Sequence, residues 1–445
     1  MTPDALVHRG GPPADLLVRG AHVLDPRTGL DGVQDVLVRD GTVTEVGALG
    51  DRLPGVEEVD GRGRHLFPAF VDPHVHLRTP GQEHKEDLDT GTRAAAAGGF
   101  GAVIAMPNTD PVVDSGPILR ALRDAAAREA RVPVGFLPCI TQGMGGEQLT
   151  EMAALRDLGA LGFTDDGRPV TSAGMLRLAL QYQRMVGGVL ALHEEDPALS
   201  GNGAMHEGDV SALLGITGIP SISESTMVAR DAALAGYEGG RIHVQHLSCV
   251  ESVQAVAVAK AQGAQITAEV SPHHLTLTDE AVRGLETRMK MNPPLRTEAD
   301  RLALVEGLRD GTIDCIATDH APHARDEKEV PFEQAPMGTT GLETAFASVY
   351  TDLVRTGVLP LALVVEKLTA GGELLGLPLP RIAPGEPANL TLLDLEATWD
   401  VGEDGYASRS ENCCFAGRRL HGRVLLCVAA GSVAHRERAF ALGPA

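Results

Sequence analysis

Eight short apolar runs, most of them followed by a stretch rich in alanine or leucine, occupy the middle of the chain. Segments such as RAAAAGG and VQAVAVAKAQG separate most of the runs and have the composition of helices. Strands that alternate with helices predict an α/β fold, either an open doubly wound sheet or a (β/α)8 barrel. The runs cover residues 65–76, 101–109, 132–140, 158–166, 187–196, 241–248, 264–272 and 312–320.

The polar residues of these runs favour the barrel over the open sheet. They stand at the carboxyl ends of most runs, and a (β/α)8 barrel carries its active site on that face. The connection between the fifth and sixth runs, residues 197–240, is long. We expect it to hold an extra loop or helix.

Both ends of the chain have the character of short β-strands with glycine-containing turns. Residues 16–65 include LLVRGAHVLD and DVLVRDGTVTEVG, and the segment that starts at residue 387 is similar. We therefore expect a small β-sandwich domain built from both termini, residues 1–65 and 381–445. The catalytic barrel would then span residues 66–380.

The amino-acid composition limits the binding partners and the cellular compartment that we expect. Lys and Arg number 38 against 60 Asp and Glu, and this net charge of -22 opposes non-specific binding to nucleic acid or anionic membranes. No apolar run reaches the roughly 18 residues of a transmembrane helix, and the first fifteen residues do not resemble a signal peptide. None of the six cysteines forms a CxxC pair. We expect a cytoplasmic protein with reduced cysteines.

Histidines and carboxylates at the ends of the runs predict a metal centre. His74 and His76 are two residues apart in VDPHVHL, so both imidazoles project from one face of a strand. Four imidazoles and two carboxylates on one rim suit two Zn²⁺ ions with one carboxylate bridging them. The other candidate ligands are Asp165 or Asp166, His193, His246 and Asp319.

Motifs in a fixed order carry a resemblance to a known family. The order VDPHVHLRTPG, IAMPNTDP, GFTDDG, ALHEED, HVQHLS, SPHHL, MNPPLR and IATDHAPH resembles the dihydroorotases of the cyclic amidohydrolase superfamily. The continuation EKEVPFEQAPMGTTGLETA is similar to the longer, bacterial-type branch. The resemblance implies zinc-dependent, reversible cyclisation of N-carbamoyl-L-aspartate to L-dihydroorotate in pyrimidine synthesis. It also implies a small-molecule substrate, a homodimer and a possible association with aspartate carbamoyltransferase.

The resemblance implies a role for each metal ligand. His74, His76 and Asp319 would hold the more buried metal, and Asp319 would also carry the proton as general base and then acid. His193 and His246 would hold the second metal. Asp166 is the expected bridge, with Asp165 as the alternative. Hydantoinases and allantoinases bridge with a carboxylated lysine, and the absence of a lysine near the fourth run favours the aspartate-bridged branch.

Arg78 is the residue that most directly indicates the substrate. It lies two residues after His76, where it could bind the substrate carboxylate through two hydrogen bonds. The resemblance implies further substrate contacts from His76, Leu77, Asn108, Asn292, His323, Met337 and Gly338.

Two alternative functions follow from the same residues. One is another cyclic amidohydrolase, such as an allantoinase or a dihydropyrimidinase (hydantoinase), against which Arg78 and the missing lysine argue. The other is a non-catalytic scaffold homologue, against which the filled ligand positions argue.

Overall fold

Strands from the two ends of the chain pair in one eight-stranded sheet. A computed structural model describes residues 5–50, 55–437 and 440. The spatial order is β18-β17-β16-β5-β1-β2-β3, and β4 also pairs with β1. The strands are β1 Leu16–Asp25, β2 Leu30–Arg39, β3 Thr42–Gly47, β4 Glu57–Asp60, β5 His65–Pro68, β16 Leu390–Asp400, β17 Arg419–Ala429 and β18 Ser432–Arg436.

The contact between β5 and β16 joins the two ends. These strands are antiparallel, with Leu66 opposite Leu392, while β5 runs parallel to β1. Apolar side chains from both ends, Val18 and Leu390 among them, form one buried cluster. Strands from both ends of the chain thus share one sheet and one core, as expected, and β5 includes residues past position 65.

Eight parallel strands form the middle of the chain, at the positions of the eight predicted runs. They pair as a three-stranded sheet, β6-β7-β8, and a five-stranded sheet, β9-β10-β13-β14-β15. Their bounds are β6 Phe70–Val75, β7 Phe100–Ala105, β8 Val134–Phe136, β9 Phe163–Thr164, β10 Leu190–Leu192, β13 Arg241–Val244, β14 Gln265–Val270 and β15 Cys315–Ile316.

Backbone hydrogen bonds cross both seams between these two sheets. At one seam, Leu161 N donates to Phe136 O over 3.1 Å. At the other, His76 N donates to His320 O over 2.9 Å, next to a parallel bridge between Val75 and His320. The strands therefore follow one another around a ring, as the predicted (β/α)8 barrel requires.

Helices connect the strands and cover the outside of the barrel. α1 begins with a capping box, because the Asp87 side chain accepts from Thr90 N and the Thr90 hydroxyl accepts from Asp87 N. The α-helices are α1 Leu88–Ala97, α2 Gly116–Glu129, α3 Met152–Asp157, α4 Ala173–Val186, α5 Pro197–Ser200, α6 Asp209–Leu214, α7 Ile222–Glu238, α8 Val250–Ala261, α9 Pro272–Thr276, α10 Glu298–Asp310, α11 Arg325–Lys328, α12 Ala345–Val349 and α13 Leu361–Thr369.

The remaining elements are short. The long connection 197–240 holds α5, α6, α7 and a parallel ribbon of β11 Met205–His206 and β12 Gly218–Ile219, in agreement with the expected extra element. Among the described residues, no helix is long and apolar enough to cross a membrane. Short 3₁₀-helical segments lie at Gln142–Met144, Asp279–Gly284, Thr287–Met289, Phe332–Gln334, Leu342–Thr344 and Ala370–Leu375, and a π-helical turn lies at Tyr350–Val354.

Candidate active site

A cavity of about 240 Å³ opens where the barrel strands end. All the site residues expected from the sequence line it, except His74 and Leu77. The lining residues are His76, Arg78, Asn108, Asp166, Gly167, His193, His246, Asn292, Asp319, Ala321, His323, Met337 and Gly338.

The candidate ligands lie at or just beyond the carboxyl ends of the strands. His74 is inside β6, and His76 follows the last residue of that strand. The others come one to three residues after β9, β10, β13 and β15, and they are Asp166, His193, His246 and Asp319. Parallel strands that end at one rim therefore bring side chains from distant parts of the sequence together.

The Asp166 carboxylate lies at the centre of this group. Its Oδ1 is 3.5 Å from His74 Nε2, 3.7 Å from His193 Nδ1 and 3.8 Å from His246 Nε2. Its Oδ2 is 3.4 Å from His76 Nε2. One carboxylate thus faces four imidazoles with its two oxygens, an arrangement suited to bridging two metal ions.

Asp319 faces the two histidines of the HxH pair. Its Oδ1 is 3.0 Å from His76 Nε2 and 3.5 Å from His74 Nε2. Burial opposes the ionisation of both site aspartates. The imidazoles of His74 and His76 nevertheless hold the pKa of Asp319 and that of Asp166 below their usual values. Both aspartates are therefore carboxylates here, as metal ligation requires.

The donor set fits metal ions. His74 is fully buried, and its Nε2 has no hydrogen-bond partner among the described residues. Possible ligand atoms of His74, His76 and Asp319 lie within 4.8 Å of one another, and so do those of His74, Asp166 and His246. Imidazole and carboxylate ligands are those that zinc prefers in catalytic sites.

His193 is held by a carboxylate that the sequence analysis did not single out. Its Nδ1 lies 2.9 Å from His246 Nε2, and its Nε2 donates to Glu195 Oε2 over 3.2 Å. Asn292 Nδ2 also donates to Glu195 Oε2, over 2.7 Å. Glu195 therefore directs the Nδ1 of His193 into the centre and joins it to Asn292, an expected substrate contact.

Asp165 lies next to Asp166 but belongs to a different set of contacts. Its Oδ1 accepts from Ile140 N over 2.9 Å and from Thr141 N over 3.1 Å. Its Oδ2 accepts from the Thr141 hydroxyl. These contacts tie the end of β9 to the segment that follows β8 and take the Asp165 carboxylate away from the imidazoles.

Arg78 is a buried cation at the edge of the cavity. Its Nε donates to Pro322 O over 3.1 Å, and its other guanidinium N–H groups have no partner among the described residues. Burial lowers the pKa of Arg78 to about 10, so the group stays charged at neutral pH. These free N–H donors in a buried position can bind a carboxylate.

The other residues that we expect to contact the substrate also make defined contacts within the protein. His76 Nδ1 donates to Asn108 Oδ1 over 2.8 Å, and Asn108 lines the cavity. His323 Nε2 donates to Met337 O over 2.9 Å. At Gly338, φ is 136° and a Cβ would lie 2.9 Å from Ala321 Cβ, so the backbone there requires glycine. The Leu77 side chain is part of the apolar core.

Two further polar residues were missed from the sequence. Asn412, from the C-terminal β-rich segment, donates to Ala321 O and Gly338 O and accepts from His323 N. Glu269, inside β14, contacts His74 Nδ1 from below the cavity. A charged residue within a buried strand was the one available signal for Glu269. Asn412 gave none, since its partners are distant in sequence.

Backbone strain marks three of the site residues. Arg78, His246 and Asp319 have φ values of 60°, 32° and 46°. Residues other than glycine seldom adopt such values, and they persist only where the surrounding structure enforces them. Each of the three follows a barrel strand and turns its side chain toward the cavity.

Comparison with known proteins gives family matches that together cover most of the chain. Residues 63–252 match a family described as dihydro-orotase-like, and residues 229–432 match the amidohydrolase family. A dihydroorotase of Pelotomaculum thermopropionicum is 46% identical over 95% of this chain and 99% of its own length. A dihydroorotase of Anaeromyxobacter dehalogenans is 48% identical over 95% and 98%.

Solved structures of related enzymes share the fold. The L-hydantoinase of Arthrobacter aurescens superposes with a TM-score of 0.85 at 25% identity, over 95% of this chain and 96% of that one. A D-hydantoinase of a Thermus species gives a TM-score of 0.81, also at 25% identity, over 95% of each chain.

Proposed function

The chain belongs to the dihydroorotase family, and we propose on this basis that it interconverts N-carbamoyl-L-aspartate and L-dihydroorotate in pyrimidine synthesis. The observation that carries the choice of substrate is the buried guanidinium of Arg78 beside the histidine and aspartate cluster. Both proposed reactants have a carboxylate that takes no part in ring closure or ring opening and is free to bind a cation. Allantoin and dihydrouracil lack it.

We propose that two Zn²⁺ ions bind in this cluster. His74, His76 and Asp319 would hold one ion, His193 and His246 the other, with Asp166 as the bridge. When bound, such ions supply a nucleophile from water at neutral pH and polarise the amide carbonyl. The buried His74 Nε2 without a partner and the central Asp166 carboxylate support this proposal.

The remaining chemistry belongs to side chains of this chain. Arg78 binds the substrate carboxylate and fixes the ring against the metal cluster, with Asn108, Asn292, His323 and the backbone at Met337 and Gly338 as further contacts. Asp319 accepts a proton in the hydrolytic direction and delivers it to the leaving ring nitrogen. In the cyclising direction Asp319 removes a proton from the ureido nitrogen as the ring closes.

The direct test is a spectrophotometric assay with L-dihydroorotate, run beside allantoin and dihydrouracil and with zinc analysis of the same sample. We expect turnover of dihydroorotate only, with about two zinc ions per chain. Faster turnover of allantoin or dihydrouracil would show a hydantoinase-type enzyme. A chain without zinc or turnover would be a non-catalytic scaffold.

Other features of the protein are proposals of the same kind. The eight-stranded sheet and the barrel would be separate domains, residues 1–65 with 381–445 and residues 66–380. A cytoplasmic location is supported by the six cysteines, which are all free and buried. The net charge of -22 supports the absence of a nucleic-acid or membrane partner.

We also propose a homodimer, with aspartate carbamoyltransferase as a possible partner. Exposed apolar side chains on three neighbouring helices, α4, α7 and α8, support a dimer interface. They are Leu178, Met185, Tyr237 and Val258. Light scattering of the purified chain would measure the dimer, and co-purification would test the association with the carbamoyltransferase.

A further inference from the structure

A buried carboxylate outside the proposed ligand set lies directly beneath the metal cluster. Glu269 is 1% exposed and lies near the end of β14, in the interior of the barrel. A carboxylate at such a position is strongly destabilising unless hydrogen-bond donors surround it. The groups that donate hydrogen bonds to Glu269 therefore indicate the role of this buried negative charge.

Both oxygens of Glu269 are used by groups of the site. Oε1 accepts from His74 Nδ1 over 2.6 Å and from the backbone N–H of His246 over 3.2 Å. Oε2 accepts from His243 Nε2 over 3.0 Å, and His243 Nδ1 lies 2.9 Å from the Thr267 hydroxyl. One carboxylate thus contacts a proposed ligand of each metal and is anchored from below by a third histidine.

These contacts decide which nitrogen of His74 can bind a metal. Because Nδ1 donates its proton to Glu269, Nε2 keeps its lone pair, and Nε2 is the atom that faces Asp166 and Asp319 at 3.5 Å. The bond to His246 N is made at a residue whose φ is 32°, so Glu269 also helps to hold this strained turn.

We propose that Glu269, anchored by His243, is a positioning residue for the metal cluster. It fixes the Nδ1-protonated form of His74 and the backbone at His246, and its negative charge makes the His74 ring a stronger ligand. This inference rests on the proposed function, because it takes His74 and His246 as metal ligands.

Metal binding by the full-length, metal-free chain tests the inference without reference to turnover. Zn²⁺ affinity is measured by competition with a coloured chelator, and Co²⁺ is added separately for its visible spectrum, which reports ligand geometry. Glu269→Gln keeps the shape of the side chain and removes its charge. We expect about 10- to 100-fold weaker Zn²⁺ binding and an altered Co²⁺ spectrum.

Glu343→Gln is the matched control. It makes the same change at another largely buried carboxyl group, which accepts from Ala407 N and Ser408 N and contacts none of the proposed ligands. We expect wild-type affinity and spectrum from this variant, and far-UV circular dichroism establishes that each variant folds. Unchanged Zn²⁺ binding and spectrum in Glu269→Gln, or an equal loss in Glu343→Gln, would overturn the proposal.

A second variant keeps the test decisive if Glu269→Gln does not fold. His243→Gln removes the imidazole anchor and leaves the carboxylate, and we expect a smaller loss of Zn²⁺ affinity in the same direction. Unchanged affinity here would also overturn the inference. Failure of the proposed function would look different, because the wild-type chain would then bind Zn²⁺ no better than His74→Ala.

Discussion

The carboxylates of Asp165 and Asp166 point to different parts of the molecule although the residues are adjacent. Asp166 faces four imidazoles with its two oxygens. Asp165 accepts hydrogen bonds from the backbone and hydroxyl of Thr141. The two carboxylates diverge because successive side chains along a strand point to opposite sides. Replacing Asp165 and replacing Asp166 should therefore impair different properties of the protein.

Asp166→Ala should destroy activity and leave at most one tightly bound zinc per chain. Without the bridge, the metal that lacks the HxH pair has only two imidazoles, so it should be lost first to a chelator. Zinc analysis after dialysis and the dihydroorotate assay measure the effect. Two retained zinc ions in Asp166→Ala would mean that another group forms the bridge.

Asp165→Ala should act mainly on stability. It leaves buried N–H and O–H donors of Ile140 and Thr141 without an acceptor, which typically costs about 1–3 kcal/mol in the free energy of unfolding. Urea unfolding would measure this loss, with activity and zinc content affected less than in Asp166→Ala. A worse loss of zinc from Asp165→Ala would reverse the assignment of the two residues.

Arg78→Met should impair the enzyme through substrate binding. Removing a buried cation that pairs with the substrate carboxylate should lower kcat/KM for dihydroorotate by roughly 2–5 kcal/mol of transition-state stabilisation. Arg325→Met is a suitable control, since that arginine is exposed and pairs with Glu329 over 2.6 Å. Unchanged kinetics in Arg78→Met would remove the main reason for choosing dihydroorotate over the neutral ring substrates.

Glu343 should make stability depend on pH. Burial raises its pKa from 4.5 to about 7, although Ala407 N and Ser408 N donate to the carboxylate. A raised folded-state pKa gives stability that is present below pH 4.5 and is lost as pH rises through 7. At pH 4 the carboxyl group is largely neutral in both states, so the wild type and Glu343→Gln should differ only through the one acceptor oxygen that the amide lacks.

Between pH 4 and pH 8 the stability of this variant relative to the wild type should rise by on the order of 1–3 kcal/mol, because it has no charge to bury. Urea unfolding at the two pH values measures the difference. Parallel pH dependence in wild type and Glu343→Gln would show that this carboxyl group does not titrate as described.

The eight strands were predictable because each is an apolar run. The meeting of the candidate ligands at one rim was predictable because each of them lies at or near the end of such a run. The strands proved shorter than the runs. β9 is only Phe163–Thr164 and β15 only Cys315–Ile316, since the backbone leaves the ladder to carry the ligands. The alternation of side chains along a strand is therefore enough to place His74 and His76 on the same face of the chain. The orientation of Asp319 depends on an unusual backbone conformation, with φ at 46°, which alternation along a strand does not predict.

The side chains that hold the candidate site residues in place could not be predicted from the sequence, for a different reason. Glu269 and its partner His74 are 195 residues apart, and Asn412 lies 89 residues from His323. No local spacing connects such pairs. Glu195 is closer, two residues after His193, but its role depends on the turn after β10 that returns its carboxylate to the ring.

Asp319→Asn provides the sharpest test of the proton carrier. The amide oxygen can still face His76 Nε2, which lies 3.0 Å from Asp319 Oδ1, but an amide cannot accept and return the proton. We expect roughly 10²–10⁴-fold slower turnover in both directions, with part of the zinc retained. Glu195→Gln is the comparison, because it alters a carboxylate that touches a proposed ligand and carries no proton. It should weaken zinc binding and recover most turnover at saturating zinc. If Asp319→Asn also recovered at saturating zinc, Asp319 would be a ligand only, and another group would move the proton.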